Sequence, residues 1–341
     1  MRRARYADMG DLVVSPPAVT PAPGRPWWQR YRVQISTVTM LVLLYIVFIV
    51  FAPDVYLRFD IYRSFMISIP FFGIMAIAMT YIVTLGEIDL SFPSICGIAG
   101  WAFSQLYITT HIFILGLAAA LLVGAAAGLI NGLLVARVRI PSIVATIGTM
   151  FLWRGLVNVL TEGKGLPMAE ITGDPFNKVF VGQLFGLIPA QFLWFLAFSV
   201  VLGLIYKRHR FGSHVLFVGD NREAARMMGI NVERVTILCY VQIGVVAALS
   251  VVLLLNQMMY FWSSTGDGYL LTTLAAVFIG GTSVFGGRGT MIGTFVGVLI
   301  IASLEPGIIA LGLTGFWTQF IYGLLITLSV TVYALMQRRR E

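Results

Sequence analysis

The sequence predicts an all-α, polytopic membrane protein with about ten transmembrane helices. Of its 341 residues, 58% are hydrophobic and only 11% are charged, and the mean hydropathy is +0.89. Soluble domains contain about 45–50% apolar residues even when glycine is counted among them. The apolar residues fall into long runs that are separated by basic loops. This composition excludes a soluble enzyme.

The chain divides into a polar tail, an apolar domain and a short basic end. Residues 1–34 contain six arginines and five prolines but no apolar segment, which predicts a disordered, uncleaved cytoplasmic tail rather than a signal peptide. Residues 35–337 form the transmembrane domain, and 338–341 form the basic end. Because about 20 apolar residues cross a hydrocarbon core of about 30 Å, we assign spans to 35–52, 64–85, 92–110, 112–136, 141–160, 187–206, 236–255, 269–283, 290–311 and 315–335.

The basic residues predict the orientation of these spans. Lysine and arginine collect in cytoplasmic loops. With the N-terminus inside, 18 of the 23 basic residues fall in cytoplasmic segments, four fall outside and Arg154 lies within a span. This distribution predicts an even number of spans with both termini in the cytoplasm.

Two spans carry glycines at four-residue spacing, which lets helix backbones approach closely in lipid. Aligning these two spans, which are five apart, makes an internal repeat inverted across the membrane. Aligning residues 86–91 with 280–284 instead makes the repeat parallel, and ordinary tight packing without a repeat is a third interpretation. The predicted packing glycines are Gly124, Gly128 and Gly132 in the fourth span and Gly289, Gly293 and Gly297 at the ninth.

The turn between the second and third spans carries two acids, in the segment Leu85–Ser91. Ionisable groups beside an apolar span are candidates for function, so Glu87, Asp89 and Ser91 are pathway or gate candidates. Asp89 or Ser91 could instead cap the third helix, whose first turn tolerates Pro93.

A glycine-rich break separates the eighth and ninth spans over residues 280–289. None of the three lysines is followed by serine or threonine, so the chain has no phosphate-binding P-loop. The break instead predicts a sharp re-entry that is buried in protein or lines a cavity. Its gate candidates are Gly280, Gly281, Ser283, Gly286 and Gly287.

The longest predicted cytoplasmic loop, 207–235, contains a short helix signal. Asp220 and Glu223 have the spacing of a capping box, and Gly229 suits the left-handed position after a helix end. A helix of about eight residues is too short to be stable alone. It therefore docks either on a partner or on its own protein.

Other polar features are more open to a structural interpretation. The cysteines, Cys96 and Cys239, are predicted to be buried free thiols, and no metal-ligand pattern is present. Long external loops at 161–186 and near 256–268 either bind something or only connect spans. Polar and aromatic residues within spans either line a pathway or bond between helices; the pathway candidates among them are Trp101, Gln105, Asn158 and Gln319.

Several motifs together resemble a known family. From about residue 64 to 337 the chain resembles permease subunits of ribose/xylose/arabinose/galactose-type ABC sugar importers, in the superfamily of branched-chain amino-acid permeases. The motifs are Ala78–Tyr81 with Gly86–Ser91, Ile130–Ala136, Thr146–Met150, Phe211-Gly212 before Gly219–Asn221, and Gly280–Ser283 through Gly289-Thr290.

The resemblance implies a non-catalytic pore subunit in a bacterial cytoplasmic (inner) membrane. A cytoplasmic ATPase would bind ATP and Mg, an external solute-binding protein would deliver a sugar or polyol, and a second copy or a sister permease would complete the pore. The segment that resembles the ATPase-coupling motif comprises Asp220, Asn221, Glu223, Ala224, Ala225 and Gly229, although the distal part of the wider motif is missing.

One residue departs from the family pattern. Similar permeases usually carry a second glycine where this chain has Glu87. An ion-coupled secondary transporter with Glu87 and Asp89 as its ion site is the alternative function. An ABC permease for a non-sugar solute such as an amino acid is another.

Overall fold

The computed structural model describes residues 31–338. The tail predicted over 1–34 therefore lies almost wholly outside the described residues, as does the basic end beyond Arg338. From Val33 onward the chain forms one compact unit.

The described chain is almost entirely helical, and a helix lies at each of the ten predicted apolar runs. Its fourteen α-helices are α1 Arg32–Phe51, α2 Pro53–Tyr56, α3 Phe59–Thr84, α4 Phe92–Thr110, α5 Phe113–Ala136, α6 Ser142–Thr161, α7 Pro175–Val181, α8 Ala190–Arg208, α9 Arg210–Asp220, α10 Arg222–Met227, α11 Val232–Met258, α12 Tyr269–Ile279, α13 Met291–Ala310 and α14 Phe316–Arg338. Four short strands are β1 Leu166–Pro167, β2 Gln183–Leu184, β3 Ile188–Pro189 and β4 Tyr260–Phe261, and a 3-10 turn covers Ala169–Gly173.

Seven of the described helices, α1, α3, α5, α6, α8, α11 and α13, are long and apolar enough to cross a membrane. The all-α, polytopic membrane fold is thereby confirmed, whereas the number of ten crossings stays a prediction. Two of the predicted spans include residues that are not helical. The run from 187 begins in the β2–β3 hairpin, so its helix starts at Ala190, and the run 269–283 is helical only to Ile279.

Helices α3 and α11 form the centre of the molecule. α3 is buried on every side from Ile69 to Thr84 and packs against α8, α11, α12 and α13. A helix that is apolar all round is stable only in such a central position. α11 packs most extensively against α5.

The packing glycines of α5 explain that close approach. A Cβ on Gly128 would overlap the Tyr240 carbonyl of α11, and Gly124 and Gly132 lie equally close to Gly244 and Ile237. The glycines near the start of α13 have other neighbours: Gly293 lies against the Gly280 carbonyl and Gly297 against the Ala276 carbonyl. Small residues thus bring α5 to α11, and α13 to α12.

The loops sort into two groups, one at each end of the bundle. At one end β1 pairs with β4, with Leu166 opposite Phe261, and Asn177 Nδ2 donates to Asn256 Oδ1 at 3.1 Å. At the other end the turn after α3, the α9–α10 segment and the loop before α13 contact one another. The two long loops predicted to be external, at 161–186 and near 256–268, therefore contact each other, and so do three of the segments predicted to be cytoplasmic.

Candidate functional site

Three segments meet at the carbonyl of Thr84, the last residue of α3. They are the turn Leu85–Ser91, the segment Gly219–Arg222, in which α9 ends and α10 begins, and the loop Gly280–Gly289. We call these three segments the glycine junction. Gly287 N donates to Thr84 O at 2.9 Å, and Gly219 lies directly against the same carbonyl. The segments that carry the family-like motifs are therefore brought to one place.

Glycine is required in the junction for two separate reasons. Gly86, Gly286 and Gly287 have φ of +77°, +83° and +70°, a region that other residues rarely adopt. Close approach is the second reason, because a Cβ on Gly286 would lie 2.8 Å from Gly219 O and 2.9 Å from Gly86 N. Backbone therefore contacts backbone here, without flexible side chains between.

Helices α3 and α12, which enter the junction, and α10, which leaves it, end in the same way. After α3, Gly86 N bonds to Val83 O at 2.9 Å and Glu87 N bonds to Ile82 O at 3.1 Å. This pattern is a Schellman motif, which fixes the direction of the chain after a helix. The residues after α12 repeat it around Gly281, and those after α10 repeat it around Gly229, whose φ is +80° as the sequence predicts.

The predicted capping box of the short helix is wrong. Asp220 is the last residue of α9, and the cap of α10 is Asn221, whose side-chain oxygen accepts from Glu223 N and Ala224 N at 3.0 Å. Because α9 runs on to Asp220, the Asp–Glu spacing does not fall at the helix start. α10 is consequently six residues long rather than about eight.

α10 has one face on the protein and one face in solvent. Ala225 is fully buried, whereas Glu223, Met227 and Met228 are exposed, Met227 by 84%. The buried face shows that this helix docks on its own chain, whereas docking of its exposed face on a partner stays a prediction. Exposed methionines adapt to varied partner surfaces.

Glu87 pairs with Arg222, the first residue of α10. The carboxylate Oε1 accepts from Arg222 Nη2, which also donates to Leu85 O at 3.5 Å. Glu87 is 8% exposed, and the arginine side chain is 45% exposed. A cavity of about 230 Å³ opens beside the pair, with Arg139, Arg226 and Glu233 also in its wall.

Asp89 lies just before α4 and binds the residue at its cap position. The cap position is Ser91, without a side-chain bond to the helix, while Asp89 Oδ1 accepts from Ser91 N and Oγ, both at 2.7 Å. Asn131 Nδ2 of α5 donates to Ser91 Oγ at 2.6 Å. Asp89 is wholly buried and its Oδ2 has no partner among the described residues. This burial raises the pKa of the Asp89 carboxyl.

The remaining pathway candidates lie away from the junction. Gln105, Asn158 and Gln319 are exposed on helix surfaces, and Trp101 is half-buried in α4. Ser283 is buried in the junction, where its hydroxyl accepts from Phe285 N at 3.2 Å and closes the loop. Only part of the predicted set therefore converges.

Sequence reasoning missed the structural role of Arg154. Its guanidinium donates to the carbonyls of Ser263, Thr265 and Pro93 and pairs with Asp267 at 2.6 Å. It thereby ties the loop before α12 to the start of α4. A single arginine within an apolar run was the available signal, because such a charge must find partners in the protein.

Residues 61–330 match a family of known proteins described as "Branched-chain amino acid transport system / permease component". The chain belongs to this permease family. Relatives include the L-arabinose ABC transporter permease protein AraH of Azospirillum brasilense, which is 32% identical to the permease and aligns over 94% of both chains. The Autoinducer 2 import system permease protein LsrC of Yersinia enterocolitica is 34% identical over 76% of this chain and 71% of its own. The ribose import permease protein RbsC of Escherichia coli is 32% identical over 76% and 81%.

The match confirms the resemblance that the sequence motifs indicate. It covers the described helices from α3 into α14, and hence the whole glycine junction. The permease is a multi-pass protein of the inner membrane, and its seven long apolar helices agree with that location.

Proposed function

We propose that this permease is the pore subunit of an ATP-binding cassette importer that carries a sugar or polyol into the cell. The arabinose and ribose permeases among its relatives support that solute class. The family description also includes branched-chain amino acid transport, so an amino acid is the second solute class to screen.

The energy comes from a partner in this proposal. A cytoplasmic ATPase subunit binds ATP and Mg and hydrolyses the nucleotide, while the permease itself needs no cofactor. An external solute-binding protein delivers the solute to the β1–β4 end. A second copy of the chain or a sister permease completes the pore, and the chain crosses the membrane ten times with both termini in the cytoplasm. The sorting of the loops into two groups supports that topology.

The observation that carries the proposal is the position of α10. Its exposed face, Glu223, Met227 and Met228, offers a docking surface, and its buried residue Ala225 fixes it to the protein. α10 follows Gly219 by three residues, and Gly219 touches the end of α3. A movement that the ATPase imposes on α10 therefore reaches α3 and, through Gly287, the loop between α12 and α13.

Reconstitution with the ATPase tests this role. In proteoliposomes that contain the permease, its ATPase and its binding protein, we expect uptake to require ATP. Glu223→Arg should reduce uptake to background and prevent co-purification of the ATPase, because it reverses a charge in the docking surface. Glu162→Arg makes the same charge change at the other end of the bundle, where Glu162 is 75% exposed, and should retain the ATPase.

Two results contradict the proposal. Uptake by Glu223→Arg at the wild-type rate would remove the coupling role of α10. Uptake that collapses with a protonophore while ATP is held constant would instead favour ion-coupled transport, with the buried Asp89 as the first residue to examine.

A further inference from the structure

Glu87 and Arg222 join two segments that are fixed independently of each other. Glu87 N bonds to Ile82 O within the Schellman motif that ends α3. Arg222 directly follows Asn221, the cap of α10. Because each backbone is held by its own hydrogen bonds, the ion pair adds nothing to the local fold of either segment. It connects one segment to the other.

The burial of the carboxylate makes this connection persistent. The Glu87 side chain is 10% exposed, and a carboxylate held out of water needs a positive partner or hydrogen-bond donors. Arg222 is the cation that contacts it. If α10 moved away alone, it would leave that charge uncompensated. The turn after α3 is therefore expected to follow α10 when α10 moves.

The other contacts across the junction transmit movement differently. Gly219 and Gly286 meet their neighbours by backbone contact, which resists approach but not separation. Gly287 N to Thr84 O is a single neutral hydrogen bond, and it involves the loop before α13 rather than α10. The Arg222 side chain therefore resists a pull on α10, through the ion pair with Glu87 and a longer bond to Leu85 O at 3.5 Å.

We propose that the Glu87–Arg222 ion pair is a positioning contact that makes the turn between α3 and α4 follow α10. Glu87 and Arg222 touch no solute in this proposal, and they act by passing the displacement of α10 to α3 and α4. The inference rests on the proposed function, since it assumes that an ATPase displaces α10.

Four variants test the pair, with one matched control. Glu87→Gln and Arg222→Gln each remove one charge, and Arg222→Glu reverses one. The double variant Glu87→Arg/Arg222→Glu restores the ion pair with the two charges exchanged. The adjacent cavity of about 230 Å³ has room for the longer side chain at position 87. Glu233→Gln, in the wall of the same cavity and without an ion pair among the described residues, is the control.

The readouts separate coupling from assembly. In proteoliposomes with ATPase and binding protein, Glu87→Gln should still co-purify with the ATPase and support basal ATP hydrolysis. The solute transported per ATP hydrolysed should fall by about 5- to 150-fold, the range that coupled sites usually show. The same ratio should fall at least as far in Arg222→Glu and should recover most of the loss in the double variant. In Glu233→Gln the ratio should equal that of the wild type.

Stability provides a second measurement that needs no ATPase. A double-mutant cycle of Tm in detergent with Glu87→Gln, Arg222→Gln and both together should be non-additive, because the two charges interact. Additive changes in Tm would show that Glu87 and Arg222 do not interact, and would overturn the proposal. A normal ratio of transport to hydrolysis in Glu87→Gln, or a double variant that transports no better than Arg222→Glu, overturns its role. A wild-type protein whose uptake does not depend on ATP refutes the proposed function instead.

Discussion

At the scale of single residues, Asp89 shows how the turn after α3 differs from a solvated loop. Its carboxyl group is wholly buried and accepts two hydrogen bonds on one oxygen from Ser91. Burial raises its pKa, because it disfavours the charged carboxylate. Asn131 donates to Ser91 Oγ and so connects α5 to the same turn.

The pH dependence of stability follows from that shift. A raised pKa stabilises the fold fully below the unfolded value of about 4 and loses this contribution as pH rises through the folded value. We expect the Tm of the wild type in detergent to fall, as pH rises above about 4, more steeply than that of Asp89→Asn, which cannot ionise. Equal slopes for the two proteins would show that Asp89 does not contribute.

Glu87 is unusual in the sequence, and the structure shows which residue it pairs with. The resemblance described in the sequence analysis implies glycine there, and the carboxylate of this chain pairs with Arg222, 135 residues away. Neither hydrophobic periodicity nor local spacing carries information about a contact at that separation. A sequence can therefore identify such a residue as unusual without giving its partner.

At the scale of elements, the shortness of α12 has a structural cause. α12 has 11 residues and is about 16 Å long, about half of a hydrocarbon core. The loop before it reaches into the bundle, where Gly266 lies against the Pro93 carbonyl and Arg154 bonds to Thr265. The loop after it enters the glycine junction at Gly280. α12 is short because irregular chain at both of its ends occupies space within the protein.

The contact of α5 with α11 gives a direct test of glycine packing. In Gly128→Ala the new Cβ would overlap the Tyr240 carbonyl and lie 3.0 Å from Val241 Cα, and backbone cannot turn aside as a side chain can. We expect a loss of about 1–3 kcal/mol, as overpacking usually costs, measured as a lower Tm in detergent.

Gly148→Ala in α6 is the matched control for that substitution. Among the described residues, no atom beyond the adjacent turns of α6 lies within 4 Å of the added Cβ, and alanine is the better helix former. It should leave the Tm unchanged or raise it, by about 0.5–1 kcal/mol of stability. A loss of equal size in both variants would mean that the close approach of α5 and α11 is not the cause.

At the scale of the whole molecule, the sorting of the loops can be tested by labelling. Cys96 and Cys239 are buried to 1% and 0% exposure, so the native thiols should give little background. Thr172→Cys lies in the exposed 3-10 turn near β1, and Ser213→Cys lies on exposed α9.

A membrane-impermeant maleimide should reach the two introduced thiols from opposite sides. We expect labelling of Thr172→Cys from outside intact spheroplasts and labelling of Ser213→Cys only after permeabilisation, since charge predicts α9 to be cytoplasmic. Labelling of both from the same side would contradict the topology.

The sequence predicts the helices of this fold better than the loop contacts and helix caps that join them. Long apolar runs specify helices, because their length and composition leave few alternatives in lipid. The β1–β4 pair joins loops that are far apart in sequence through two residues each, and no strand signal can arise from so few. The cap of α10 is Asn221 rather than the predicted Asp220, because tertiary packing extends α9 to Asp220. The place where the glycine motifs meet depends on the same long-range packing.

The pairing of β1 with β4 has a consequence for how this protein can diverge. Main-chain hydrogen bonds hold Leu166–Pro167 to Tyr260–Phe261, so the pairing of these two short strands does not depend on their exposed side chains. Neighbouring exposed residues can then change over generations without loss of the loop framework. If a solute-binding protein docks at this end, as proposed, substitutions here change that partner while the glycine junction stays as it is.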